Sequence, residues 1–336
     1  MRKNQINRKN KPSHRSRRFL KNLFGRFFWY LLPLYLIFCC VDYALPHQTQ
    51  ALRSWAESRI SDAEFLLTGE TSKSEPFSKG SENYDVSDFE VHFLDVGQGL
   101  SVFVRSGEQT LLYDGGDRDT SSFVVAYLKQ QQVESLDYVI ASHYDADHIN
   151  GLIGALHVFP AETIMGPDYT HESDTFDSFC QAVESQEKEV IHPSPGDCFP
   201  LGKGFFTVLA PEKEYEDSNN NSIVLRLVCG DTSFLLTGDA EAESEEDMCF
   251  SGMDLSSDVL CAGHHGSSTA TTELFLSVVQ PAYGIISAGK DNEYGHPHSE
   301  TLQRLKAYGA EVLQTSRLGT IVFSSDGNTL TWSSFR

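Results

Sequence analysis

Cationic side chains are scarce in most of this 336-residue chain. It carries 26 Lys and Arg against 47 Asp and Glu, a formal net charge of -21. Ten of the 26 (Arg2, Lys3, Arg8, Lys9, Lys11, Arg15, Arg17, Arg18, Lys21 and Arg26) fall in residues 1–26, where no acid occurs. The body downstream is therefore strongly acidic, which argues against tight, sequence-independent binding of phosphate backbones unless metals or a local basic strip compensate. Lys203, Lys213 and Arg226 are too few to make such a strip. Cysteine is also sparse and odd in number, at seven; there is no Cys-x-x-Cys metal spacing, and a disulfide-dense scaffold is excluded. No short repeat of fixed period is present, which excludes a solenoid. With 40% hydrophobic and 22% charged residues, the composition is globular, on a length that suits one large domain or two small ones.

What is there begins with an apolar run. Phe27 to Val41, FFWYLLPLYLIFCCV, is fifteen residues without a charge. That is short of the ~20 that span a hydrocarbon core, so Arg26 is expected to snorkel and Trp29, Tyr30 and Tyr43 to sit at the interfaces. The expected organisation is a basic cytoplasmic tail (1–26), a transmembrane anchor (27–45), a membrane-proximal helix and linker (46–88) and a folded domain (89–336). The positive-inside rule then predicts a single-pass protein of the cytoplasmic membrane with its acidic domain outside. A cleaved signal peptide is the competing reading, although Ala44-Leu45-Pro46 lacks the small-x-small cleavage pattern. Cys39 and Cys40 lie in the apolar run. In an oxidising exterior Cys180 and Cys198 could pair, but the cysteines are read mainly as structural.

From Phe89 the patterning is regular. EVHFLDV and SVFVRS alternate, with a turn at Gly97-Gln98-Gly99 between them, and TLLYDGG supplies a third strand. SSFVVAYLKQQQ reads as a helix and LDYVIAS as a buried strand ending at His143, with a helix starting near Asp147. A second strand pair follows at Ile223–Cys229 and Ser233–Thr237, then strands at Val259–Ala262 and Tyr283–Ser287 and helices at Thr272–Val279 and Thr301–Tyr308, before terminal strands. Two runs of adjacent strands, each followed by βα units, predict two mixed sheets packed face to face with helices outside.

Chemistry concentrates where strands end. His143-Tyr144-Asp145-Ala146-Asp147-His148 places four metal-capable side chains within six residues, and imidazole with carboxylate suits Zn²⁺ or Mn²⁺. Taken alone, the same hexapeptide is also read as a polar loop whose Asp caps a helix. Three later segments repeat the placement: Leu235-Leu236-Thr237-Gly238-Asp239 ends in a lone carboxylate, Gly263-His264-His265-Gly266-Ser267 in paired histidines, and Tyr294-Gly295-His296-Pro297-His298 follows a third strand. His92, alternating within the first strand, is expected to be a packed or surface histidine. Acids and imidazoles at successive strand ends make a two-ion site plausible, suited to in-line phosphoryl displacement.

At these residues the chain resembles the metallo-β-lactamase superfamily and, within it, the nuclease-like domain of the ComEC competence proteins. FLDVGQG (93–99), YDGG (113–116), HYDADHINGL (143–152), NNSIVL (220–225), LLTGD (235–239), GHHGSS (263–268) and YGHPH (294–298) occur in that family's order, over roughly residues 89–335. The resemblance implies an α/β fold, an αββα sandwich with the metals at one edge, here following an N-terminal transmembrane helix. It also implies metal ligands at His143, Asp145, Asp147 and His148, a bridging Asp239, and a late ligand at His264 or His265. Asp114 is implied to brace the metal loop by hydrogen bonds, with Asn221, Ser222 and Ser267 in supporting positions. Two departures from the wider superfamily stand out. Asp145 replaces a histidine, and no histidine follows the middle strand, where Asn221-Ser222 occur; His157, His171 and His192 lack the right context for that place. One ion position is thus short of nitrogen, which favours a harder ion such as Mn²⁺ or partial occupancy. Leu100 sits where many relatives carry an acid.

The reading that follows is a metal-dependent phosphodiesterase of nuclease type acting on DNA outside the membrane. Asp147 or Asp145 would orient or deprotonate the attacking water, and His296 would contact a phosphate oxygen or assist the leaving oxygen. Two alternatives remain: the same site acting on a cell-wall phosphodiester such as a phosphocholine or teichoic-acid ester, and a metal-stabilised binding module without turnover. β-Lactam hydrolysis does not fit the ligand set.

Overall fold

The computed structural model describes residues 89–336. The expected tail, anchor and linker, with Cys39 and Cys40, lie outside the described residues. Among the described residues, no helix is long and apolar enough to cross a membrane.

Strands β1 (Phe89–Phe93), β2 (Val102–Ser106) and β3 (Gln109–Tyr113) form an antiparallel meander. Their alternation sends Phe89, Val91, Phe93, Val102, Val104, Leu111 and Tyr113 into one buried cluster and Phe103 and Leu112 into another on the opposite face. The chain then changes to βα units: α1 (Ser121–Gln130), β4 (Leu136–Ile140), α2 (Ala146–Leu156), β5 (Ala161–Met165), α3 (Asp174–Ser185) and the short β6 (Val190–Ile191). From β3 to β6 neighbouring strands run parallel, as helical crossovers require.

The second sheet repeats this plan. β7 (Cys198–Leu201), β8 (Gly204–Ala210), β9 (Val224–Cys229) and β10 (Thr232–Leu236) are antiparallel. They are followed by α4 (Ala242–Ser251), β11 (Val259–Cys261), α5 (Glu273–Val279), β12 (Tyr283–Ile286), α6 (Ser299–Ala307) and β13 (Glu311–Gln314), with β10 to β13 parallel. The final strands, β14 (Thr320–Ser325) and β15 (Leu330–Phe335), return to the first sheet, where β14 pairs with β1. The two sheets thus have eight and seven strands, in the orders β15-β14-β1-β2-β3-β4-β5-β6 and β13-β12-β11-β10-β9-β8-β7.

Three apolar clusters define four layers. One lies between the sheets and joins Phe93, Tyr113 and Ile140 to Phe206, Leu227, Phe234 and Ile285. A second packs the first sheet on helices through Val124, Leu128, Leu152 and Phe179. The third packs the second sheet on helices through Met248, Phe275, Leu276 and Leu305. The helix-sheet-sheet-helix arrangement agrees with the strand runs and βα units legible in the sequence. Leu100 is 2% exposed and joins the inter-sheet cluster. His92 is the packed histidine expected, with Nδ1 2.6 Å from the Tyr127 hydroxyl.

The Cys180–Cys198 pair that the sequence left open does not form. All five cysteines of the described residues are free thiols. Cys180 lies on α3, a helix packed on the first sheet, whereas Cys198 opens β7 at the edge of the second. Closeness in sequence did not place them together, because the chain changes sheets between them.

Candidate metal centre

The site forms along one edge, where the strands of both sheets stop. β3 leads to Asp114, β4 to Ser142 and His143, β10 to Asp239, β11 to His264 and His265, and β12 to Ser287. Strand ends of parallel sheets are where side chains from several units can converge. The glycines of the motifs serve that convergence: a Cβ on Gly99 would stand 2.4 Å from the backbone oxygen of Asp147, and one on Gly151 would stand 1.7 Å from that of Gly115. Only glycine lets the Gly97-Gln98-Gly99 turn and the Asp114-Gly115-Gly116 segment press against the start of α2.

Asp114 anchors the first motif. It is fully buried, with a left-handed φ of 57°. Its Oδ1 accepts the backbone N–H of Ser142 at 2.7 Å, and its Oδ2 accepts the Ser142 hydroxyl at 2.8 Å and His148 Nδ1 at 2.8 Å. The Ser142 proton is thereby committed to Asp114, so Ser142 Oγ, 3.0 Å from His143 Nδ1, is the acceptor there. One carboxylate thus sets the tautomer of two histidines, directly and through a serine. His265 obtains the same tautomer from the second sheet, its Nδ1 donating to the Ser287 carbonyl at 3.1 Å. His264 does so through Glu241, whose Oε1 lies 2.7 Å from Nδ1.

With Nδ1 carrying the proton, each Nε2 presents a lone pair, and these point at one another and at acids. His148 Nε2 is 3.4 Å from His265 Nε2 and 3.3 Å from Asp239 Oδ1. His265 Nε2 is 3.2 Å from Asp147 Oδ2 and 3.3 Å from Asp239 Oδ2, while His264 Nε2 is farther, 3.9 Å from Asp239 Oδ2. His143 Nε2 is buried without a hydrogen-bond partner, and Asp239 Oδ1, despite its distance to His148, makes no hydrogen bond of acceptable geometry. Lone pairs of neutral imidazoles cannot bond to one another or to carboxylates; a shared cation satisfies all of them. Among the described residues, two groups have ligand atoms within 4.8 Å of one another: His143, His148 and Asp239, and Asp147, His148 and His265. This donor set fits divalent metal ions.

The electrostatics point the same way. Burial opposes charge on His148, yet Asp239, Asp114 and Asp147 outweigh it and raise its pKa well above the ordinary value. Burial likewise opposes charge on His265, but Asp239 and Asp147 push its pKa up to about 9. The carboxyls of Asp239 and Asp147 would be raised by burial but are held well below the usual range by His148 and His265. The acids demand positive charge at this spot, and without a metal the imidazoles are driven to supply it.

The remaining expected residues divide. Asp145 occupies the N-cap position of α2 but makes no capping bond, so the helix-capping reading of the hexapeptide fails. Its Oδ2 instead faces His143 Nε2 at 3.6 Å, and that histidine holds the carboxyl below the usual range. Ser222 sits where expected: its hydroxyl accepts the backbone N–H of Asp239 at 3.1 Å and lies 3.5 Å from His143 Nδ1. Asn221 does not face the site. Its Oδ1 accepts the Tyr215 N–H and its Nδ2 donates to the Tyr215 and Asp217 carbonyls, so it ties its own loop together. Ser267 acts at a distance, its hydroxyl 2.8 Å from that of Thr269, which donates to Glu241 at 2.7 Å and so supports His264. His296 packs on both paired histidines, with ring centroids 5.3 Å from His264 and 6.2 Å from His265. Burial and the neighbouring imidazoles hold its pKa down to about 4, so at neutral pH it is an uncharged hydrogen-bonding group.

Sequence reasoning missed Ser142, Glu241, Ser287 and His171. Ser142 and Glu241 lie within two residues of His143 and Asp239, and Ser287 ends the strand expected at Tyr283–Ser287, so these three could have been suspected from the acceptor each ligating imidazole needs. His171 gave no such signal. It follows β5 in a loop, and the fold brings its Nε2 to 3.3 Å from Asp145 Oδ1. A basic strip is not formed by Lys213 and Arg226: Lys213 pairs with Glu243 and Asp247, and Arg226 with Asp254.

Comparison with known proteins adds an independent line. Residues 94–290 match the family model described as the metallo-beta-lactamase superfamily. The chain is 32% identical over 256 residues to ComE operon protein 3 of Bacillus subtilis (strain 168), covering 70% of this chain and 33% of that protein. It is 32% identical over 237 residues to competence protein ComA of Neisseria gonorrhoeae, covering 68% and 31%. The resemblance to ComEC-type competence proteins read from the motifs is thereby borne out, while the chain spans only about a third of the length of these relatives. Among solved structures, the metallo-beta-lactamase fold protein YhfI from Bacillus subtilis aligns with a TM-score of 0.47 and 17% identity, over 71% of this chain and all of that one.

Proposed function

This chain belongs to the metallo-beta-lactamase superfamily, and from that premise we propose that its folded domain is a metal-dependent phosphodiesterase of nuclease type acting on DNA. The observation that carries the reading is the convergence of Nε2 lone pairs from His143, His148 and His265 with the carboxylates of Asp147 and Asp239. The ligands are His143, Asp145, Asp147, His148, Asp239 and His265, with His264 behind His265. Divalent cations held there would supply positive charge against phosphate oxygens and Lewis acidity toward water.

The chain's own residues divide the rest of the work. Asp147, an acceptor-only carboxylate with Oδ2 3.2 Å from His265 Nε2, orients the attacking water. Asp239 presents one oxygen to each side of the centre. His296, neutral at pH 7, donates a hydrogen bond to a phosphate oxygen. Asp114 and Ser142 keep the imidazoles aimed. With two imidazoles and one carboxylate in each group, and Asp145 adding a further oxygen on the His143 side, the donors suit Mn²⁺ as well as Zn²⁺.

Charge limits the substrate. A groove of about 340 Å³, lined by none of the proposed ligands, includes Tyr169, His192 and Asn221 in its lining, but also Asp168, Glu212 and Glu214. Those carboxylates disfavour a long polyanion there, which supports a short or single-stranded DNA segment. The relatives named for competence support a role beside DNA uptake. The basic 1–26 segment and the apolar 27–45 segment support a single-pass anchor with the enzyme outside the cytoplasmic membrane.

The test is direct. Purify the full chain, measure bound metal, and assay single- and double-stranded DNA, bis-nitrophenyl phosphate and phosphocholine esters, with Asp147→Ala as control. Metal-dependent cleavage of DNA, lost in the variant, is expected. Turnover of the small diesters without DNA would replace the substrate by a wall phosphodiester; full metal retention with no turnover of any ester would leave only a binding module.

A further inference from the structure

His171 is an imidazole that neither the motifs nor the family match assigns, since it lies in the loop between β5 and α3 rather than at a motif. Its Nε2 stands 3.3 Å from Asp145 Oδ1, and the other oxygen of that carboxylate, Oδ2, faces His143 Nε2 at 3.6 Å. Asp145 therefore lies between two imidazoles of different kinds. His143 is fully buried and its Nε2 has no hydrogen-bond partner. His171 is 28% exposed in its side chain and stands on the outer side of the carboxylate.

Tautomers distinguish the two. The His143 Nδ1 meets an oxygen whose own proton is committed to Asp114, so its Nε2 must carry the lone pair. At His171 the pattern reverses. Nδ1 lies 3.0 Å from Ser173 Oγ, which already accepts the Phe176 N–H as the N-cap of α3 and keeps its own proton to give. With the hydroxyl donating to Nδ1, the proton sits on Nε2, which stands at ion-pair distance, 3.3 Å, from the acceptor-only Asp145 carboxylate. A nitrogen that carries the proton is not a metal ligand; it is the partner that fixes one. His171 also lies outside both groups of clustered ligand atoms.

We propose that His171 is the positioning residue for Asp145: anchored through Ser173 on the N-terminus of α3, it holds Oδ1 and turns Oδ2 toward His143, completing the ion position on the His143 side. This rests on reading the site as a metal centre. It gives Asp145 a support that corresponds, on the opposite side of the centre, to what Asp114 gives His148. A bare carboxylate 36% exposed in its side chain would otherwise be free to rotate into water.

The experiment is a Mn²⁺ titration of the full chain, following the free-ion electron paramagnetic resonance signal, for wild type, His171→Ala and His171→Gln. Wild type is expected to bind in two steps. His171→Ala should weaken the weaker step by about 10- to 100-fold and leave the tighter one unchanged. His171→Gln, which keeps an N–H donor at similar reach, should restore the weaker step to within about threefold. Metal-free melting temperatures should agree within about 2 °C, as for other partly exposed substitutions. An unaltered weaker step in His171→Ala, or a Gln variant as weak as Ala, overturns the proposal while leaving the metal centre intact. A wild-type chain that binds neither Mn²⁺ nor Zn²⁺ overturns the parent reading instead.

Discussion

Two groups of clustered ligand atoms share His148, and Asp239 reaches toward both, with one oxygen 3.3 Å from His148 Nε2 and the other 3.3 Å from His265 Nε2. On the inner side, His148 and His265 have their tautomers set by Asp114 and the Ser287 carbonyl and converge with Asp147. On the outer side, His143 and His148 converge with Asp239, and the further carboxylate, Asp145, is partly exposed. The difference teaches that ligand count alone does not rank the positions. Each group has two imidazoles and one acid, so the partners that fix the remaining ligands rank them, and these favour the inner side.

The strongest break of this comparison is to remove what the two sides share. Asp239→Ala should abolish hydrolysis of any phosphodiester substrate, by at least about 10³-fold, the scale on which a member of a catalytic unit matters. It should also strip both ions, as read by elemental analysis. If one ion stays tightly bound, Asp239 does not bridge. Asp114→Ala comes next, because it strands the Ser142 N–H and frees two imidazoles at once. A loss of about 3 kcal/mol in folding stability by denaturant titration is expected, with metal affinity down by about 10- to 100-fold on both sides. A loss confined to one side would show that Ser142 holds His143 without help.

A sharper cut separates the sides. His143→Ala should remove the weaker binding step and spare the tighter, whereas His265→Ala should do the reverse, each read by Mn²⁺ and Zn²⁺ titration with a gap between the steps of at least about tenfold. Equal steps in wild type would erase the distinction.

The smallest effect concerns pH. Glu245 is fully buried on α4 and accepts the backbone N–H groups of Thr271 and Thr272, in the segment that runs from the paired histidines to α5. Burial pushes its pKa up from the ordinary 4.5 to about 7. The folded state therefore holds a proton that the unfolded state releases between those values. Relative to Glu245→Gln, wild-type stability should fall by about 2–3 kcal/mol as pH rises from 4.5 to 7 and then level off. A flat difference would mean that the carboxyl is ionised throughout, and the inner side would then lack this pH-sensitive support.

Much of the fold was legible because strand alternation is a local property. Phe89, Val91 and Phe93 against His92, or Leu111 and Tyr113 against Leu112, assign faces without knowledge of any partner. The motif residues were legible for a related reason: His143, Asp147, His148, Asp239 and the histidine pair follow buried strands, and buried parallel strands end at a common edge. The choice between His264 and His265 was not legible. Both φ angles are left-handed, 47° and 56°, so strand alternation no longer divides them. The fold puts His265 beside Asp147 and leaves His264 farther out, on Glu241. Asn221 and Ser222 are adjacent in sequence, yet one closes a loop and the other faces the centre.

By itself, then, the sequence determined the layers, the edge and the kinds of atom gathered there, since hydrophobic period and donor chemistry belong to residues one at a time. The tertiary structure alone decided tautomers, which of two neighbouring histidines stands inside, and the arrival of His171 at Asp145. Each of those depends on a partner supplied by a distant part of the chain, and a hydrogen bond has no direction until both of its ends are in place.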